Sequence, residues 1–168
     1  MNAFRCQLLV LILGIIAFLV VLYLQYFQGI LACPLCVLQR VALLIAMIIS
    51  IVALLHRPRR WGWWVYQSLT GLIAVGGVIV AGRQVWLQHF PPGQAPGCGA
   101  GFDQLVETFS FTRALVLVFK GTGDCAIVHG HFLGLTIAGW SVVLFAIIIA
   151  LMVVGAILQS LMRQTLNT

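Results

Sequence analysis

Two cysteines three residues apart, with a proline between them and an arginine one helical turn further on, stand in the run Cys33-Pro34-Leu35-Cys36 and at Arg40. A bridge across two residues closes almost no chain and so stabilises little. The pair reads instead as a redox dithiol. Pro34 suits the first turn of a helix, and a helix beginning there directs free N–H groups at the sulfurs, which favours the thiolate that carries out disulfide exchange. Arg40 lies four residues beyond Cys36, on the same helix face and about 6 Å deeper. Its fixed charge there favours a Cys36 thiolate, or any anion stacked beside it.

Two further cysteines sit in glycine-rich turns, Cys98 in PPGQAPGCGAG from Pro91 and Cys125 in GTGDC from Gly121. Two readings of them stay open. As a staple they would close a loop of about 27 residues, worth ~3–4 kcal/mol on the chain-entropy model. As an exchange site they would need exposure to another protein's thiolate, which such turns provide. A zinc site is disfavoured, because only one Cys-x-x-Cys is present. His129-x-His131 near Asp124 and Cys125 reads better as a cap at the membrane edge, so no metal is expected. Haem attachment would need a histidine at position 37, which is Val37. The run Gly121 to Ala126 fits a G-x-G-x-x-A pattern, but no βαβ unit surrounds it and no acid follows it.

These groups must be held by membrane helices. The 168 residues are 62% hydrophobic and 7% charged, with a mean hydropathy of +1.13, far from the quarter-charged make-up of soluble domains. Four apolar runs, about 8–27, 37–55, 63–87 and 132–158, match the ~20 residues needed to cross a bilayer. None alternates with period two as a barrel strand does. The expected fold is an all-α membrane protein, a single domain built as a four-transmembrane-helix bundle. The uninterrupted run from Val41 to Leu55 is itself too short to span, about 22 Å long. The second helix therefore has to start near Pro34, which brings Gln39 and Arg40 inside the outer membrane edge.

Arg5, the group Arg57, Arg59 and Arg60, and Arg163 flank one set of helix ends, so both termini are expected in the cytoplasm. The connections at about 28–36 and 88–131 then face outward and hold Cys33, Cys36, Cys98 and Cys125, with Cys6 on the other side. The net charge of +6 follows from that topology, and no nucleic-acid partner is expected. In the long outer loop Phe102, Leu105, Val106 and Phe109 have helical spacing. The apolar patch Ala114 to Phe119, bracketed by Arg113 and Lys120, suits a short helix lying on the membrane surface. The first apolar run is too long for a cleaved signal core and is read as a span. No flavin or nicotinamide site is evident, so a lipid-soluble quinone is the natural electron acceptor.

The chain resembles the DsbB family of membrane disulfide-generating proteins. The resemblance rests on Cys33-Pro34-Leu35-Cys36 followed by Gln39-Arg40, on Arg83-Gln84 and His89 at the end of the third run, on Cys98, and on Gly123-Asp124-Cys125-Ala126. It implies a protein of the bacterial inner membrane that reoxidises a periplasmic DsbA-like thiol oxidase and passes electrons to ubiquinone or menaquinone. It further implies the redox disulfides Cys33–Cys36 and Cys98–Cys125. Cys98 is then the sulfur attacked by the DsbA-like partner, and Cys36 the thiolate that meets the quinone, with Arg40 and His89 beside the ring. The patch Ala114 to Phe119 corresponds to the family's membrane-lying helix. A DsbA-like partner is itself a strong oxidant, at about −120 mV, so the pull is expected from the quinone. Two other classes remain: an accessory membrane protein whose cysteines are staples, and a redox protein of the vitamin K epoxide reductase type. Such proteins usually carry the Cys-x-x-Cys late in the chain, whereas here it follows the first span.

Overall fold

Leucine, isoleucine and valine side chains, with scarcely a charge among them, leave the backbone of each run one way to satisfy its polar groups, an internal helical ladder. The computed structural model describes residues 3–28, 34–58, 60–89, 131–132 and 134–165. Its helices are α1 (Ala3–Gln28), α2 (Pro34–His56), α3 (Arg60–Leu87) and α4 (Ile137–Thr165). Each contains a stretch long and apolar enough to cross a membrane. At 1.5 Å per residue, even α2, with 23 residues, reaches about 34 Å. This is a multi-pass membrane protein.

Around the bundle α1 packs on α2, α2 on α3, and α3 on α4, while α4 returns to α1. Its interior holds Val10, Leu43, Ala74, Phe145, Ile148 and Met152. Gly77 allows the closest approach: a Cβ there would lie 2.5 Å from the ring of Phe145, so α3 and α4 can meet only across a residue without one. The outside is apolar as well, with Ile16, Leu19, Leu72 and Ile79 all more than half exposed. Polar residues are the ones turned inward: Gln7, Gln39, Ser50, Gln67, Thr70 and Gln84 are each at least nine-tenths buried. That inversion is what hydrocarbon demands, since a polar group can find partners only inside the bundle.

Helix ends depart from the expected limits in informative ways. α2 begins at Pro34, so Leu35 and Cys36 belong to the helix and not to the outer connection expected at 28–36. The fourth span was expected from residue 132, but a small hairpin precedes it. Strand β1 (His131–Phe132) pairs antiparallel with β2 (Leu135–Thr136), with Phe132 opposite Leu135. The turn uses Gly134 at φ +81°, a conformation open to glycine. α4 then starts at Ile137, because the Thr136 hydroxyl accepts the N–H of Gly139 at 3.2 Å and caps the first turn. At the opposite end of the bundle α2 stops on Arg57, at φ 41°, whose N–H reaches the carbonyl of Ala53 at 3.2 Å. The Arg57 guanidinium lies over the ring of Phe4, 5.6 Å from its centre. The expected surface helix at Ala114 to Phe119 and the amphipathic segment at Phe102 to Phe109 lie outside the described residues.

Candidate redox site

The first turn of a helix has backbone N–H groups without partners inside the helix, and Cys36 is the third residue of α2. Its side chain is partly buried. Three and four residues on, Gln39 and Arg40 diverge toward different neighbours. Gln39 turns to α3, where its Nε2 donates to Gln84 Oε1 at 2.6 Å. Gln84 Nε2 in turn donates to Cys36 Sγ at 3.1 Å. Arg40 turns to α1, where its Nη1 donates to Gln25 Oε1. Helix α2 thus presents its sulfur between two polar attachments, one on each flanking helix.

Arg40 is not fully used by that contact. Its Nε is buried and has no hydrogen-bond partner among the described residues. An N–H of a guanidinium left unpaired in a low-dielectric setting is costly, on the order of 1–3 kcal/mol or more. Gln88, in the turn just after α3, likewise has a buried Oε1 without a partner among the described residues. The Arg40 Nε therefore suits a ligand carrying a hydrogen-bond acceptor, such as a ring carbonyl, one helical turn along α2 from Cys36, whereas Gln88 Oε1 could only accept from a donor.

The chain belongs to the DsbB family. The family model described as "Disulfide bond formation protein DsbB" matches residues 4–155. Disulfide bond formation protein B of Nitrosococcus oceani is 42% identical over 145 residues, covering 86% of this chain and 81% of the relative. That of an Azoarcus species is 46% identical over 124 residues, 74% of each chain. That of Hahella chejuensis is 43% identical over 123 residues, 73% of this chain and 74% of the relative. Membership of that family supports a role in disulfide bond formation, an oxidoreductase function.

Of the residues the sequence singled out, the structure brings Cys36 and Arg40 to one end of α2. His89 stands in the turn after α3, exposed, with Nδ1 2.9 Å from the carbonyl of Val85 and its N–H 3.2 Å from that of Trp86. Since a carbonyl only accepts, Nδ1 carries a proton and Nε2 is the ring atom left to meet a ligand. Arg83 lies over the ring of Trp86, 4.3 Å from its centre. Cys33, Cys98 and Cys125 lie outside the described residues. Gln25 was not singled out, Gln84 only as part of a family motif, and Gln39 only as part of that motif and as a residue drawn into the span. The signal was a polar amide within each of the first three apolar runs, which has to face the interior.

Proposed function

We propose that this protein oxidises a periplasmic DsbA-like thiol oxidase and delivers the electrons, through two cysteine pairs, to ubiquinone or menaquinone in the bacterial inner membrane. The observation that carries this reading is the buried Nε of Arg40, without a hydrogen-bond partner among the described residues, one helical turn along α2 from Cys36. Basic residues at the other helix ends, Arg5, Arg57 and Arg60, favour an orientation with both termini cytoplasmic and the cysteines periplasmic.

In this scheme a partner thiolate attacks Cys98 and breaks a Cys98–Cys125 disulfide. Cys125 leaves as thiolate, and a mixed disulfide forms between partner and Cys98. The partner's second thiol displaces Cys98, so the partner leaves oxidised and the loop pair is reduced by two electrons. The same exchange between the loop dithiol and a Cys33–Cys36 disulfide moves those electrons to the helix, where Cys36 is released as thiolate. Bound beside it, a quinone supplies an acceptor for two electrons and two protons. Arg40 would hold a carbonyl oxygen of it through Nε, Gln25 fixes the guanidinium from α1, and His89 Nε2 would offer a second polar contact from the turn after α3. The low-dielectric walls strengthen each of these interactions and keep water from the sulfur.

The test mixes the purified full-length protein with a reduced DsbA-like protein and a soluble quinone, and follows thiol loss beside quinone absorbance. One quinone is expected to be reduced for every two thiols lost. Thiol loss at the same rate with and without quinone would overturn the reading.

A further inference from the structure

The Gln39–Gln84–Cys36 chain has a direction. A carboxamide has one accepting end and one donating end. With Gln84 Oε1 taken by Gln39 at 2.6 Å, its Nε2 is the end turned to the sulfur. At 3.1 Å that approach is closer than another amide-to-sulfur contact among the described residues, Gln7 Nε2 to Met152 Sδ at 3.7 Å. Gln39 and Gln84 are only 6% and 5% exposed, so water does not compete freely for either.

We propose that Gln84 is a further catalytic residue: its amide, oriented by Gln39, donates to Cys36 Sγ and stabilises charge on that sulfur as the Cys33–Cys36 bond opens. The proposal rests on the reading of Cys36 as the sulfur that hands on electrons. When an entering thiolate attacks Cys33, a bond forms between the entering sulfur and Cys33, the Cys33–Cys36 bond breaks, and Cys36 leaves with the electron pair. The entering sulfur is oxidised and Cys36 is reduced. A sulfur departs faster when its anion is better stabilised, and at the lip of a bilayer bulk water contributes little to that. Gln84 supplies a donor at the departing sulfur, which biases attack toward Cys33. Gln39 is a positioning residue, since it acts on the sulfur through Gln84. A neutral amide does this without a second charge in the span, where ionised side chains cost several kcal/mol.

The competing role is plain interhelical glue between α2 and α3. The experiment uses the reduced full-length chain in a C33S background and measures, by mass spectrometry, the rate of Cys36 alkylation by iodoacetamide across pH. Gln84→Met keeps the volume and removes the donor. It is expected to slow alkylation about tenfold at neutral pH and to displace the midpoint of the pH profile upward. Gln39→Leu, which lets the Gln84 amide turn, is expected to give a smaller displacement in the same direction. If Gln84→Met does not fold, Gln84→Asn keeps the amide but withdraws it by one methylene, and the same upward displacement is expected. An unchanged profile in a folded Gln84 variant, with only a lower melting temperature, would leave Gln84 as glue and overturn the proposal. Neither quinone nor protein partner enters this assay. A displaced profile alongside failed quinone reduction would therefore sink the functional reading and keep the assignment to the sulfur.

Discussion

Among the described residues the bundle has two buried polar layers, each with a cysteine beside glutamines, and they differ in what they offer the thiol. The outer layer joins Gln25, Cys36, Gln39, Arg40 and Gln84 across three helices. The inner layer joins Gln7 to Thr70 at 3.4 Å, to Met152 and to Ser50, whose hydroxyl donates to Gln7 Oε1 at 2.8 Å. Cys6 is buried there completely and packs with Gln67 against Gly155. The difference lies in what surrounds the thiol. Cys36 has a helix start, a second cysteine three residues before it, an amide donor and a fixed charge one turn away. Cys6 also lies in the first turn of its helix, as the fourth residue of α1, with Arg5 beside it in sequence, but no second cysteine stands near it in the chain and it packs four residues before Val10 of the apolar core. A helix start, a nearby charge and a neighbouring glutamine are thus common to both thiols, and what sets Cys36 apart is the second cysteine three residues before it and the amide directed at its sulfur.

The sharpest way to break that contrast is to remove each thiol in turn. Cys36→Ala is expected to abolish quinone-dependent oxidation of a dithiol partner, while Cys6→Ala leaves the turnover unchanged. Equal loss in both variants, measured by thiol consumption, would mean that the inner layer takes part in the chemistry. Next in size is Arg40→Gln. Loss of a charge-assisted donor at a buried site is worth about 1.5–3 kcal/mol, so the quinone concentration for half-maximal rate should rise roughly 10- to 100-fold. An unchanged quinone dependence would remove Arg40 from the site.

The inner layer should respond to shape and leave thiol chemistry untouched. A Cβ at Gly155 would meet Gln67 Nε2 at 2.7 Å and Cys6 Sγ at 3.0 Å. Overpacking of this kind costs about 1–3 kcal/mol, and the Gln67 end can swing aside, so Gly155→Ala should sit near the lower figure. A drop in the thermal midpoint in detergent, with the oxidation rate per folded molecule intact, is the expected outcome. A fall in that rate would connect the two layers.

The sequence was most informative where length and hydrophobicity decide the matter. The 15-residue apolar run after Arg40 is too short to span, and this alone required α2 to begin at Pro34, where it does begin. It was least informative where helix rotation matters. That Gln39 meets α3 while Arg40 meets α1 depends on 100° of turn between adjacent residues and on which neighbour lies on each side. Hydropathy also erred at the start of α4, because Phe132 to Leu135 is as apolar as the helix that follows. The corrective signals were local, Gly134 for the turn and Thr136 three residues before Gly139 for the cap. The inward-facing glutamines were readable as buried, but not as partners. Pairing Gln25 with Arg40, or Gln84 with Cys36, needs the packed bundle.

The smallest expected effect tests whether the outer layer is organised beyond its charge. Gln25 reaches Arg40 from α1, and its only role in the scheme is to fix the direction of the guanidinium. Gln25→Leu keeps the charge of Arg40, the Cys36 sulfur and the Gln84 donor, and frees one N–H. Interhelical polar contacts in membrane bundles are worth on average about 0.6 kcal/mol, or roughly threefold. The quinone requirement should therefore rise on the order of threefold, well short of the Arg40→Gln effect, with the maximal rate nearly unchanged. A loss as large as that of Arg40→Gln would mean that orientation, and not charge, is what the arginine contributes. No change at all would mean that the unpaired Nε finds its direction from α2 alone, and the outer layer would then be two independent contacts that happen to share a helix.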